Sequence, residues 1–432
     1  MENQEEQSKS IWSRITVVRA LRHRNFRLFY GGQGISLTGT WMQRIAMAWL
    51  VYRLTGSPFL LGVVGFVGQV PTFLLSPFAG VFADRWDRRR TLILTQTLLT
   101  IQALTLAFLV LTGVVQVWHL ILLSLFFGIV FALDIPTRQS FFLEMIGEKE
   151  DLGNAIALNS SMVTGAHLLG PTIAGILIGV AGEGICFLLN GLSYFPIIAA
   201  LIAMRIPPGG RKATDSKVWD RLKEGFTYVF GFAPIRSILL LMALVSLMGM
   251  PHAVLMPVFA KNILQGGPHA LGFLMGASGL GSLVGAFYLA SRKTIVGLGK
   301  RIALAVTLFG LGLVVFSLSR VLWLSIGFIL VVGFGQMVQM ASSNTILQTL
   351  VDDDKRGRVM SLYAMSFMGM MPFGSLLAGF LASHMGAPAT VTIGGIACLL
   401  GAVVFAQRLP AMRKIVHPIY ETIGVKPTHF TK

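Results

Sequence analysis

The chain has 432 residues, 54% of them hydrophobic and only 12% charged, and a mean hydropathy of +0.73, which excludes a water-soluble domain of ordinary make-up. Its formal net charge of +17 would suggest nucleic acid in a soluble protein, but the charges are not gathered on one binding face. Once twelve apolar spans are drawn, all of the 35 Lys and Arg except Arg44, Arg53, Lys261 and Arg320 fall in the N-terminal segment, alternate loops, the span ends beside them and the C-terminal tail. That asymmetry obeys the positive-inside rule. The expectation is an all-α, multi-pass protein of a cell membrane, a bacterial inner membrane, with both termini cytoplasmic and no nucleic-acid partner.

Residues 1–25 read as a cytoplasmic segment without a cleavable signal, since Met1 to Gln7 is acidic. Within it Ile11, Trp12, Ile15, Val18 and Leu21 interleave with Arg14, Arg19, Arg22 and Arg24, the pattern of a helix on an anionic leaflet or of a solvated basic tail. A first bundle over 26–205 holds spans at 27–52, 58–83, 91–112, 117–138, 154–180 and 184–205, each near the length that crosses a bilayer. A cytoplasmic linker, 206–236, opens with Pro207-Pro208-Gly209-Gly210 and carries Trp219, Leu222, Phe226 and Val229 at the spacing of an interfacial helix. The second bundle, 237–409, holds spans at 237–260, 270–291, 301–318, 321–347, 357–383 and 388–408, and a tail follows over 410–432. Cys186 and Cys398 each stand alone in an apolar span and read as small core residues.

Between the second and third spans lies a dense cluster, Gly80-Val81-Phe82-Ala83-Asp84-Arg85-Trp86-Asp87-Arg88-Arg89-Arg90, of the form GxxxDRxxRR. It resembles the loop between helices two and three of the major facilitator superfamily, GxxxDRxGRR, with Asp87 in place of the second Gly. DRxDRRR is similar to the branch that holds enterobactin-type siderophore exporters and macrolide efflux pumps. The halves are also related to each other: Val117 to Gly175 can be laid on Val321 to Gly379 with one gap, matching Gly128 to Gly333, Gly153 to Gly357 and Gly170 to Gly374. Two parallel six-helix repeats are the architecture of that superfamily. Gly170, Pro171 and Gly175 resemble the helix-five motif of drug antiporters, with Ala166 and Ala174 where that pattern has Gly; small residues there let helices approach and Pro permits a kink.

Charged and polar side chains at membrane depth are costly and face a bundle interior or a water-filled cavity. Arg44 lies past the middle of the first span on a strip with Ser36, Thr40 and Met47, and with Trp41 nearby. Asp134 and Arg138, at i and i+4 around Pro136 near the end of the fourth span, are placed to pair with each other, or with Arg44; Asp134 is the first candidate for a proton-carrying carboxylate. His167 and His252 are alternative titrating groups. Gln336, Gln339 and Ser343 share one face of the tenth span. Met365 and Met368, with Met250, Met256, Tyr363 and Phe367, are read as the lining of an adaptable, weakly polar cavity. On the cytoplasmic side Gly80, Asp84, Arg85, Arg88 and Arg89, the acidic loop ending in Asp151, and Asp352, Asp353, Asp354 and Gly357 form a candidate latch between the halves.

The phosphate-loop pattern, paired Cys motifs and HExxH are all missing from the sequence, so neither an enzyme, a cofactor nor a metal centre is expected. The resemblance implies a proton-coupled exporter of an amphipathic or hydrophobic small molecule, siderophore or macrolide-like, working as a monomer by alternating access. The alternatives are a transporter that flips lysophospholipid and a receptor or scaffold that retains the fold without transport.

Overall fold

A computed structural model describes residues 16–146, 151–204, 226–292 and 297–422, and for 16–18, 76–85, 143–144, 353–354 and 417–422 the backbone alone. All regular structure among the described residues is helical. A 3-10 helix, Thr16–Arg22, precedes twelve long helices. The first six are α1 (Arg24–Thr55), α2 (Pro58–Arg85), α3 (Arg88–Leu111), α4 (Val117–Glu144), α5 (Leu152–Ala181) and α6 (Glu183–Ala203). The second six are α7 (Ala233–Ile263), α8 (Gly267–Ala290), α9 (Leu298–Leu318), α10 (Leu322–Leu350), α11 (from Asp353 through Met385) and α12 (Ala387–Thr422). Eleven are long and apolar enough to cross a membrane; in α1, arginines and amides dilute the apolar run.

Each expected span has its helix, and the differences are at the ends. Helix α4 continues to Glu144 and α12 to Thr422, so part of the expected tail is helical and Asp134 sits well inside α4. The interfacial helix of the linker is described only from residue 226, where Phe226 and Phe230 are exposed and Val229 is buried; Trp219 and Leu222 lie outside the described residues. The N-terminal segment departs further from expectation. Its described part is a tight 3-10 turn in which Ala20 is fully buried among Phe26, Phe141 and Ala155, and Arg19, Arg22 and His23 all close on Asp151. These basic side chains pair with a carboxylate of the protein; residues 11–15 lie outside the described residues. Burial pushes the Asp151 carboxyl up, but the His23 hydrogen bond and the Arg19 and Arg22 charges outweigh that and hold it below the usual carboxylate range.

Residues 1–50 with 70–214 form one compact unit, and 51–69 with 215–432 form another. In the first, α3 packs along α6 and α4 around Leu99, Ala103, Phe127, Val130 and Tyr194. Asp87 is the N-cap of α3, accepting from the Arg90 amide at 2.8 Å, so the position that departs from the superfamily loop serves as a helix start. In the second unit α8 and α9 pack on α10, and α9 on α12. Residues 51–69 belong here through a 2.7 Å hydrogen bond from Asn262 to the Tyr52 hydroxyl and the edge contact of Phe66 with Phe373.

The internal repeat is visible at equivalent crossings. A Cβ on Gly170 would lie 2.6 Å from Trp41 Cβ and 2.8 Å from the Thr38 carbonyl of α1; one on Gly374 would strike the Leu247 carbonyl of α7 and Pro251. The helix-five motif is therefore a close helix crossing, repeated on α11. Gly182 and Gly386, again in equivalent places, have φ of +79° and +84° and turn the chain from α5 into α6 and from α11 into α12.

Candidate functional site

The polar side chains of the first unit assemble into two connected groups. In the upper one Gln43 of α1 donates to Gln102 of α3 at 3.0 Å and accepts from Asn190 of α6 at 2.8 Å. Thr40 meets the Tyr194 hydroxyl at 3.1 Å, and Asn190 is 3.4 Å from the same oxygen. All are buried, and the amides satisfy one another, as buried polar groups must.

The lower group holds the charges. Asp134 is fully buried. Its Oδ1 accepts from Thr95 Oγ1 at 2.9 Å and from Gln96 Nε2 at 2.7 Å, and its Oδ2 from the Arg138 guanidinium. Of the two partners the sequence allowed, Arg138 is the one in place. The carboxylate is not solvated, as its position near a span end would have suggested, because α4 runs on past it.

Arg44 has no hydrogen bond or ion pair among the described residues. Its guanidinium lies 5.0 Å from the Trp41 ring, 5.8 Å from Phe127 and 5.5 Å from Phe131, and its side chain is exposed. Arg138 sits 5.9 Å from the same Phe131 ring, so the two guanidiniums flank one aromatic side chain. Trp41 in turn packs at 4.4 Å on His167 of α5. Arg44 thus lies where α1, α4 and α5 come together, beside the Asp134–Arg138 pair.

In the second unit the expected residues do not form an open polar wall. Gln339 and Ser343 are buried in helix packing and Gln336 is half-buried; Gln339 Nε2 and Ser342 Oγ are without a partner among the described residues. Tyr363 is buried with its hydroxyl on the Met340 carbonyl, and Met250 and Met256 are core residues; of the expected lining, Met368 is exposed and Met365 and Phe367 are half-buried. His252 is buried, 2.8 Å from the Gly249 carbonyl and edge-on to Phe309. On α7 and α11 the helical hydrogen-bonding pattern changes, whereas α10 is α-helical throughout. Val245–Gly249 and Phe259–Ile263 in α7 and Met365–Gly369 in α11 are π-helical, each inserting a residue and rotating the faces that a uniform 3.6-residue period would assign.

Those of the expected latch residues whose side chains are described make local contacts. Arg89 donates to the Leu201 and Ile202 carbonyls at the end of α6, where a cation suits the helix dipole. Arg88 is half-buried and Gly357 exposed. Asp352 lies 3.4 Å from Lys355 in its own turn. The side chains of Gly80, Asp84, Arg85, Asp353 and Asp354 lie outside those described.

Sequence reasoning missed Gln43, Thr95, Gln96, Gln102, Asn190 and Tyr194. The signal was present in the third span, where Thr91, Thr95, Gln96, Thr100 and Gln102 recur at helical spacing inside an apolar run.

The family described as transmembrane secretion effectors matches residues 15–419. Among curated proteins, the staphyloferrin A transporter of Staphylococcus aureus is 26% identical, the match covering 88% of this chain and 95% of that one. The multidrug efflux pump Tap of Mycolicibacterium fortuitum is 24% identical over 89% of this chain and 93% of its own, and the enterobactin exporter of Shigella boydii 23% identical over 91% and 93%. Among solved structures, a bacterial homologue of the iron transporter ferroportin in an inward-facing state superposes with a TM-score of 0.68 at 18% identity, covering 89% of this chain and 98% of that one. With the twelve helices and their repeat, these matches identify the chain as a transporter of the major facilitator superfamily, in its transmembrane secretion effector family.

Proposed function

We propose that the protein is a proton-coupled exporter of an amphipathic small molecule, of the siderophore or macrolide-like class. It works as an antiporter by alternating access, as a monomer in a bacterial inner membrane with both termini cytoplasmic. The observation that carries this reading is the Asp134 site: a fully buried carboxylate whose one oxygen is held by neutral Thr95 and Gln96 and whose other holds Arg138. A proton arriving at the Arg138 side neutralises the carboxylate and sets the guanidinium free. Neutralising the carboxylate also weakens the bonds that Thr95 and Gln96 of α3 donate to it, which links proton binding to the contact of α4 with α3, as coupling requires. The basic loop at Arg85 and Arg88 and the acidic residues Asp84, Asp352, Asp353 and Asp354 are read as charges that bias the cytoplasmic face toward closure.

The test uses inverted vesicles carrying a pH gradient, with erythromycin and enterobactin as the added substrates and a trapped pH-sensitive dye as the readout. The wild type should release protons when a substrate is added, and Asp134→Asn should not. Undiminished proton-coupled transport in Asp134→Asn would remove that residue from the mechanism.

A further inference from the structure

We infer that the molecule this transporter moves is an anion, an amphipathic body bearing a carboxylate or comparable acid group that docks on Arg44, which selects the acidic, siderophore-like class of the reading above over the basic macrolide class. The inference rests on the exporter reading above for its context and on the surroundings of Arg44 for its content.

A guanidinium far inside a membrane helix normally has a carboxylate, a carbonyl or a water-filled space facing it. Arg44 is in the second half of α1 and none of its N–H groups is bonded among the described residues. The near acid, Asp134, is fully occupied by Arg138, Thr95 and Gln96. The two arginines and one carboxylate leave this part of the bundle with one excess positive charge.

The three rings around Arg44 do not supply the missing partner. A cation–π contact engages the face of a guanidinium and is weaker than an ion pair; it leaves the in-plane N–H groups free. Those N–H groups form the planar fork that matches a carboxylate, sulfonate or phosphate edge. Trp41 and Phe131 also give the apolar part of such a molecule flat surfaces to lie on. Since the Arg44 side chain is exposed, the fork is open to an incoming group. A structural role would instead bury it against backbone carbonyls, as Arg89 is bound on the carbonyls of Leu201 and Ile202.

Two probes of the same body separate charge from bulk: 8-anilinonaphthalene-1-sulfonate, an amphipathic anion, and N-phenyl-1-naphthylamine, its neutral parent. Binding is measured by fluorescence on the full chain in nanodiscs of phosphatidylcholine, which carries no net charge. Wild type should bind the sulfonate saturably and more tightly than the neutral amine. Arg44→Gln should weaken the sulfonate about tenfold or more, as loss of a charge-assisted contact does, and change the amine by less than about twofold. Arg44→Lys, which keeps the charge without the fork, should fall between. Absence of saturable sulfonate binding to wild type, a wild-type preference for the neutral amine, or equal losses for both probes in a folded Arg44→Gln would each overturn the proposal. The wild-type preference stands even where a variant does not fold. Anion binding without proton release in the vesicle experiment would count against the exporter reading alone, and proton-coupled transport with a neutral preference against this inference alone.

Discussion

The two units are built on one repeat and filled with different chemistry. In the first, buried side chains include Asp134, Asp151, Glu183, Asn190 and four glutamines; in the second, buried polar residues are mainly serines, with His252 and Gln339, and no acid, Lys or Arg among those described. Both units have close glycine crossings; the first adds directional bonds among buried amides and ions, the second three π-helical segments. Helices on one architecture can therefore be divided by task. A unit whose groups titrate and pair can recognise charge and respond to protons, and a unit of serine, glycine and π turns can bend without leaving charged groups unpaired. On the proposed reading, coupling and recognition would fall to the former and the larger changes in helix shape to the latter.

The largest effect expected from this contrast is at the ion pair. Asp134→Ala leaves the largely buried Arg138 without its acceptor and should cost about 3 kcal/mol or more. Asp134→Leu combined with Arg138→Met removes both charges and should restore folding while leaving transport dead. The check is thermal unfolding in detergent alongside vesicle transport. A double variant as unstable as Asp134→Ala would show that Thr95 and Gln96, and not the pair, set the stability, and an active one would detach the pair from coupling.

How far such statements could be read from the chain depends on how local the determining physics is. The twelve helices were legible because a bilayer fixes the length of each apolar run. Asp134 with Arg138 was legible because i, i+4 spacing on one helix brings side chains together. The Gln43–Gln102–Asn190 group was not read, since its members are on three helices whose facing is set only by packing. On α7 and α11 the expected lining was misplaced because each π turn shifts the face, and nothing as local as a motif announces where that extra residue enters. On α10, an uninterrupted α-helix, Gln339 and Ser343 are turned into packing that only the neighbouring helices set.

The repeated crossing offers an intermediate effect. Gly170→Val and Gly374→Val each place a Cβ inside contact distance of a carbonyl on the neighbouring helix, and overpacking of that kind costs about 1–3 kcal/mol, or more when backbone cannot yield. The contrast between units predicts different consequences. In the first, parting α5 from α1 moves Trp41 and with it Arg44, so probe binding should fall along with stability. In the second, parting α11 from α7 should lower stability and transport rate while leaving the preference for an anionic probe intact. Parallel losses of binding in both variants would erase the division of tasks.

The smallest expected effect concerns the two π segments that touch. Ser246, in the π turn of α7, donates its hydroxyl to the carbonyl of Phe367, in the π turn of α11. A π turn disturbs the regular ladder of backbone bonds, and a side chain from the facing helix can satisfy a carbonyl there. Ser246→Ala removes the donor with little change of volume, so it should cost about 0.5–1.5 kcal/mol and speed amide exchange at 245–249 and 365–369, leaving exchange across Gln43, Asn190 and Tyr194 unchanged. Because Ser246 is buried and has no charge to offer a substrate, the ranking of transported molecules should stay as in wild type. A changed ranking with unaltered exchange in both π turns would mean that Ser246 meets the substrate, and the second unit would then share in recognition.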